Sequence, residues 1–337
     1  MSSSKLSAED EGCLGRALAL AERGRFTVAP NPLVGCIITT PDGRIVGEGW
    51  HERPGGDHAE RVALRAAGEA AAGATAYVTL EPCAHYGTTP PCADALISAG
   101  VTRVVACVTD PNPKTDGVGF AALRQAGIRV EVGSGELAWR ARVQNQGFRR
   151  WVSAGRPFVT YKAAVTLDGR LAASSGESRW ISGSESRRRV HAERARAHAV
   201  AVGMGTVRAD RPLLTARGVA APRQPRRLAF GRGPLPADSE LELCTGALRD
   251  ELARLAEEGV QTLLLEGGPT LAGSFLRAGL IDRLLLFVAP KLIGGADSPP
   301  IFAGPGAASM EEALAVSHVS WEPVGDDLMV IGYLQEP

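Results

Sequence analysis

Apolar positions along this chain keep two rhythms, one helical and one of short continuous runs, and the switches between them lay out the elements. Leu14, Ala17, Leu18 and Ala21 recur at helical spacing and predict a helix that starts at Ser7-Ala8-Glu9-Asp10, runs to Arg23 and stops at Gly24. The runs Leu33 to Thr40 and Ile45 to Trp50, joined across Pro41-Asp42-Gly43, predict two strands. Ala59, Val62, Ala63 and Ala66 return to helical spacing behind Gly55-Gly56-Asp57, with Asp57 as N-cap and Gly68 as stop. Tyr77 to Leu80 predicts a buried strand, and Pro90-Pro91 opens a helix over Cys92 to Ser98 that Gly100 closes. Arg103 to Thr109 and Ile128 to Val132 predict strands on either side of a helix around Phe120 to Gln125.

A polar stretch between about Gly147 and Pro157 predicts a linker. Beyond it, Phe158 to Ala164, Ala199 to Gly203, the stretch near Leu228, Thr262 to Leu265, Leu284 to Val288 and Leu328 to Leu334 read as strands. Ser184 to Arg196 reads as an Arg-rich helix, and Glu266-Gly267-Gly268-Pro269-Thr270 breaks into a helix that ends near Gly279. Strands alternating with helices on both sides of the linker predict an α/β protein of two domains, 1–148 and 156–337, with each sheet covered on both faces.

Length and charge narrow the classes. A chain of 337 residues is long enough for two hydrophobic cores. With 37 basic and 37 acidic residues there is no basic excess, which argues against a nucleic-acid or anionic-membrane binder. Met1 to Asp10 is polar and acidic, unlike a signal peptide, and no apolar run is long enough to span a bilayer. Six cysteines in a chain of this length make no disulfide framework, which fits a reducing cytoplasm. Cys13, Cys36, Cys107 and Cys244 read as small buried hydrophobes.

The remaining two cysteines carry the chemistry. His58-Ala59-Glu60 sits at a helix start, Pro82-Cys83 at a strand end and Cys92 at the next helix start. His58, Cys83 and Cys92 make a set of three zinc ligands, which leaves a fourth tetrahedral position open, as catalytic rather than structural zinc requires. Zinc deaminases lower the pKa of a water with such a metal and use a non-ligand Glu to carry protons to the leaving amine, the role that falls to Glu60. A helix N-terminus favours the thiolate form of Cys92. Eight residues separate the two cysteines, where the short-loop deaminases have two.

Together with Pro30-Asn31-Pro32-Leu33-Val34-Gly35, Gly49-Trp50-His51 and Asp110-Pro111-Asn112-Pro113, this long-loop motif resembles the bifunctional deaminase–reductase family of riboflavin biosynthesis. The likeness runs from about Ser7 to Leu334. It implies an N-terminal cytidine-deaminase-like three-layer sandwich, with Asn31 and His51 binding the pyrimidine. His85 either orients a thiolate or faces water. The family usually has a base where Thr88 stands and Ser where Ala84 stands, so Arg53 or Lys114 is expected to replace the lost phosphate contact, or the deaminase substrate differs.

The second half continues the likeness through Lys162-Ala163-Ala164-Val165-Thr166-Leu167-Asp168-Gly169, Ser174 to Ile181, Gly205 to Asp210 and Glu266 to Leu271. It implies a dihydrofolate-reductase-like α/β domain that uses NADPH. By position, Ala164, Trp180, Thr206, Asp210 and the run Gly268, Pro269, Thr270, Leu271, Ala272, Gly273 and Ser274 would contact the cofactor. Ser178, Arg194, Leu214, Arg217 and Glu266 would contact the ribosyl phosphate substrate. Phe230-Gly231-Arg232 and Asp210-Arg211-Pro212 depart from the usual acidic patterns, and a guanidinium at Arg211 or Arg232 is expected to pair with the 2′-phosphate of NADP. Lys162, Asp168, Asp210 and Glu266 remain open as proton donor.

The expectation is therefore a cytoplasmic enzyme, zinc deaminase and NADPH reductase in one chain. It would act on a small phosphoribosyl pyrimidine, with no nucleic-acid or membrane partner, as a homo-oligomer of unspecified order. Three other readings stay open: a paralogue working on a related pyrimidine or pteridine precursor, a nucleic-acid deaminase built on the same zinc core, and a binding protein with a decayed site.

Overall fold

A computed structural model describes residues 6–85, 90–112 and 115–337. The chain divides into two compact units, Met1–Ala154 and Gly155–Pro337. The first unit runs α1 (Ala8–Ala21), β1 (Gly35–Thr39), β2 (Ile45–Trp50), α2 (Ala59–Ala67), β3 (Thr75–Val78), α3 (Cys92–Ser98), β4 (Arg103–Ala106), α4 (Val118–Gln125), β5 (Arg129–Val132), α5 (Gly135–Gln144) and α6 (Gln146–Ala154). Its five strands lie in the order β2-β1-β3-β4-β5. β1 pairs antiparallel with β2 and β3, and β3, β4 and β5 run parallel. Alternate residues of β1 explain the layers: Ile37 faces Leu14, Ala17 and Leu18 of α1 and Ala138 and Ala141 of α5, whereas Cys36 and Ile38 face Ala59 and Ala63 of α2, Leu96 of α3 and Phe120 and Leu123 of α4. The unit is thus the expected three-layer sandwich.

Helix α1 is started by Ser7, whose hydroxyl accepts from the Asp10 N–H while the Asp10 carboxylate accepts from the Ser7 N–H. Helix α2 lies unusually close to the sheet. A Cβ at Gly49 of β2 would stand 2.3 Å from the Ala59 carbonyl oxygen, so only glycine lets the start of α2 settle there.

The second unit runs β6 (Phe158–Thr166), α7 (Ser184–Arg196), β7 (Ala199–Gly203), α8 (Met204–Asp210), β8 (Arg226–Phe230), β9 (Glu242–Cys244), α9 (Leu248–Glu257), β10 (Thr262–Leu265), α10 (Pro269–Arg277), β11 (Arg283–Ala289), β12 (Ser317–Val324) and β13 (Asp327–Tyr333). Eight strands form one sheet in the order β12-β13-β11-β6-β10-β7-β8-β9. β11 through β9 in that order are parallel, and the β12–β13 hairpin closes one edge antiparallel. Leu252 and Leu255 of α9 and Phe275 of α10 are fully buried on one face. Val190 of α7 and Met204 and Val207 of α8 pack on the other.

Three expectations change. The segment read as a linker is largely helix α6, which extends through Ala154; its Arg149-Arg150 pair suggested loop, but Phe148, Trp151 and Val152 fall at helical spacing. His58, not Asp57, occupies the N-cap position of α2, and no side chain caps that helix. β12 was absent from the sequence reading because its residues show no buried alternation: seven of its eight positions are exposed.

Candidate zinc centre and reductase cleft

In the first unit three elements converge on one point. His58 sits at the N-terminus of α2, Cys83 in the stretch that follows β3, and Cys92 opens α3. The His58 Nδ1 lies 3.6 Å from the Cys83 Sγ and 3.3 Å from the Cys92 Sγ, and all three donor atoms fall within 4.8 Å of one another. With zinc–sulfur and zinc–nitrogen bonds of about 2.3 and 2.05 Å at tetrahedral angles, the S···N edge is roughly 3.6 Å. The donor set therefore fits a zinc ion in both atom type and spacing. The Cys92 N–H donates to the Cys83 Sγ at 3.3 Å, and the Ala93 N–H donates to the Cys83 carbonyl at 3.1 Å. The start of α3 thus supports the ligand on the other side of the loop. The hydrogen bond from Cys92 pulls the Cys83 thiol well below its usual range against the opposing cost of burial, with further help from His58. A divalent cation at this point would bind both sulfurs as thiolates and release their protons.

Glu60 lies in the first turn of α2 and is buried. Burial first, and the Cys83 charge second, push its carboxyl up to about 7. His51 is buried beside the centre, its ring edge-on to His58 at 5.1 Å between centroids. Its Nδ1–H donates to the Asp57 carbonyl at 3.0 Å, so its Nε2 accepts from the Asn31 amide at 2.9 Å. This places Asn31 and His51 together next to the ligands. His85 is exposed, which leaves it facing water. Arg53 lines a separate hollow of about 320 Å³ with Trp50, Asp57 and Arg65. Thr88 and Lys114 lie outside the described residues.

Two residues that position this centre escaped the sequence reading. Glu81 is 4 % exposed, and its carboxyl accepts from the N–H groups of Asp110, Gly117 and Phe120 at 3.0–3.1 Å. It therefore caps α4 from the chain position just before Pro82-Cys83. Gly119 completes the junction, since a Cβ there would stand 1.9 Å from the Pro82 carbonyl oxygen. The available signal was an acid at the end of an apolar strand, which requires buried donors.

In the second unit a cleft of about 750 Å³ opens beside the ends of β6 and β10 and the starts of α8 and α10. Of the expected cofactor contacts, Ala164, Trp180, Thr206, Asp210, Gly268 and Pro269 line it. Thr270, Leu271, Ala272, Gly273 and Ser274 continue along α10 away from the lining, and Leu271 packs instead against Gly203 and Gly267. Gly268 is the N-cap of α10 and Pro269 its first residue, so the positive end of that helix meets the cleft. All five expected substrate contacts, Ser178, Arg194, Leu214, Arg217 and Glu266, line the same cleft. The size and the helix terminus suit a dinucleotide with an anionic end. Arg211 lines the cleft and Arg232 does not.

Glu266 is held by the Arg194 fork at 2.6 and 2.9 Å, with the Lys162 Nζ at 3.8 Å. Burial alone would raise its carboxyl, but Arg194 outweighs burial and holds it below the usual range. Arg194 spends a further donor on the Thr215 carbonyl at 3.2 Å. Burial lowers Lys162, and Glu266 offsets part of that. The carboxylate of Asp168 accepts from Thr166 and from the N–H groups of Ile293 and Gly294, so it braces a turn. Asp210 faces Arg179 at 3.6 Å.

These two sites match two known domain families. The family described as the cytidine and deoxycytidylate deaminase zinc-binding region matches residues 7–108, and the RibD C-terminal domain matches residues 157–330. The riboflavin biosynthesis protein RibD of Escherichia coli is 41 % identical, with 95 % of this chain and 98 % of that protein covered. Its counterpart in Mycobacterium tuberculosis is 45 % identical over 94 % of this chain and 95 % of its own length. The solved structure of Acinetobacter baumannii RibD superposes with a TM-score of 0.85 at 38 % identity, covering 96 % of this chain and 98 % of that one. The diaminohydroxyphosphoribosylaminopyrimidine deaminase/5-amino-6-(5-phosphoribosylamino)uracil reductase of Thermotoga maritima does so at 0.83 and 32 %, with the same coverage. The chain belongs to the RibD family, the bifunctional deaminase–reductases of riboflavin biosynthesis.

Proposed function

We propose that the chain deaminates 2,5-diamino-6-(ribosylamino)-4(3H)-pyrimidinone 5′-phosphate in its first unit and reduces the ribosyl group of the product to ribityl in its second. The observation that carries this is the meeting of His58, Cys83 and Cys92 around one point with buried Glu60 in the same helical turn. His58, Cys83 and Cys92 would hold a zinc ion, which would supply a water of lowered pKa at neutral pH. Glu60, buried in the first turn of the helix that His58 opens, would carry protons between that water and the departing amine. Asn31 keeps one amide N–H on His51 and has its remaining amide groups for the pyrimidine edge. Neutral His51, lowered by burial, fixes that amide without placing a charge beside the ligands.

In the second unit NADPH supplies the hydride when bound. Arg217 neutralises the substrate phosphate, Arg194, its charge paired with Glu266, lines the cleft beside it, and Ser178 takes a sugar hydroxyl. Of the four possible proton donors, Lys162 is the one we assign: Asp168 braces a turn, Asp210 pairs with Arg179, and Arg194 keeps Glu266 ionised. Its Nζ stands in the cleft wall, where it can protonate the oxygen freed as the sugar ring opens. Arg211, at the end of α8, is assigned to the 2′-phosphate of NADP; Arg232 is withdrawn from that role. If Arg211→Ala leaves the preference for NADPH over NADH in a binding titration intact, this assignment is wrong.

The reading also places the protein in the cytoplasm, where the six free cysteines stay reduced. Among the described residues no helix is long and apolar enough to cross a membrane. We further propose a homo-oligomer that uses β12. The two half-reactions test the central reading. Glu60→Gln should slow deamination by roughly a hundredfold or more while reduction of already deaminated substrate continues. Loss of both activities together would overturn the two-site reading.

A further inference from the structure

Leu214 and Arg217 reach the cleft from residues 213–217, which belong to no helix or strand. Side chains hold this segment in place of a backbone ladder. The Gln224 amide acts as a missing strand would: its Oε1 accepts from the Ala216 N–H at 2.8 Å and its Nε2 donates to the Ala216 carbonyl at 3.1 Å. From α7, Arg194 donates to the Thr215 carbonyl at 3.2 Å. The His191 Nδ1 stands 3.2 Å from that same carbonyl and 3.2 Å from the Arg217 N–H. A ring nitrogen serves one of these partners at a time. The Arg217 N–H can only donate, so Nδ1 accepts from it and the ring proton sits on Nε2, while the Thr215 carbonyl takes its hydrogen bond from Arg194. Leu214, 2 % exposed, is held at φ +53°, a conformation leucine keeps only where its surroundings over-determine it.

We propose that Gln224 and His191 are positioning residues of the reductase, which set Leu214 and Arg217 at the distance the substrate phosphate requires. This rests on the reading of Arg217 as a phosphate contact. Gln224 is exposed and does not line the cleft, so it touches neither substrate nor cofactor; His191 does line the cleft, and its action through the Arg217 N–H is separated from a direct contact by the His191→Asn rescue. His191 lies three residues before Arg194 on α7, one turn away, so one helix face fixes both the Glu266 side of the cleft and the loop opposite.

The test is reduction kinetics on the deaminated substrate with and without its 5′-phosphate, on the full chain. Gln224→Ala should raise KM for the phosphorylated form roughly tenfold, hold kcat within about twofold, and leave KM for the dephosphorylated form unchanged. His191→Ala should raise the same KM, and His191→Asn, whose amide oxygen can stand in for Nδ1, should restore it. A merely structural role would lower the melting temperature without moving the phosphate preference. If Arg217→Ala abolishes the phosphate preference and Gln224→Ala and His191→Ala do not touch it, the proposal is overturned and the phosphate reading stands. If Arg217→Ala leaves the preference intact, both fall.

Discussion

Glu60 and Glu81 are both buried acids in the first unit, and the fold treats them in opposite ways. The hydrogen bonds that Glu60 takes from its own backbone N–H and the Cys92 thiol fall short of the cost of burial, which raises it to about 7. Glu81 meets three backbone N–H groups and anchors the ligand loop. Glu81→Gln would turn an amide NH₂ toward groups that themselves donate, so the loop carrying Cys83 should loosen. We expect zinc to be lost to a chelator roughly tenfold faster or more while the melting temperature of the second unit stays put; an unchanged release rate would remove Glu81 from the metal's support. The contrast also explains what the sequence made legible at this scale. His58, Glu60, Cys83 and Cys92 sit in local motifs whose chemistry is self-evident. The partners of Glu81 lie 29 to 39 positions downstream, and nothing in the local pattern announces them.

At the scale of elements, buried helices and strands followed their apolar spacing closely. α3, α7, β2, β7 and β10 begin and end where their residues predict. α6 and β12 did not, because charge masks the stripe of one and exposure removes the alternation of the other; α5, α8, α9 and β9 were not predicted at all, although Leu248, Leu252 and Leu255 give α9 a helical stripe. The foot of β7 carries a pH-sensitive joint. The Thr262 hydroxyl at the start of β10 accepts from the His198 N–H at 3.0 Å and stands 2.9 Å from its Nδ1, and among the described residues the buried Nε2 has no hydrogen-bond partner. Burial, with Arg223 adding to it, lowers His198 from 6.5 to about 4. A folded value below the unfolded one means that the stabilisation is present in full above pH 6.5 and is lost as pH falls toward 4. Melting of the second unit should therefore lose on the order of 2–3 kcal/mol across that window from this site, and His198→Gln should flatten the slope. A slope identical in the variant would contradict it.

Across the whole molecule, the balanced charge and two separate cores were plain from composition, but assembly was not. β12 is an edge strand with Val319 50 % and Trp321 69 % exposed, and Met310 and Leu314 in the preceding segment are exposed as well. Natural sheets cover or charge such edges, and the homo-oligomer proposed above would cover this one. Trp321→Lys with Val319→Lys should lower the molar mass in light scattering to that of one chain, 35.2 kDa, whereas an unchanged mass would place the interface elsewhere or deny it. Deamination in the first unit depends on a metal bound by an imidazole and two thiolates. Elemental analysis of the purified, unchelated protein tests this most directly. It should find a single zinc per chain in the parent protein and almost none in Cys92→Ser. Parent protein free of zinc, or a variant that keeps its full share, would contradict the account.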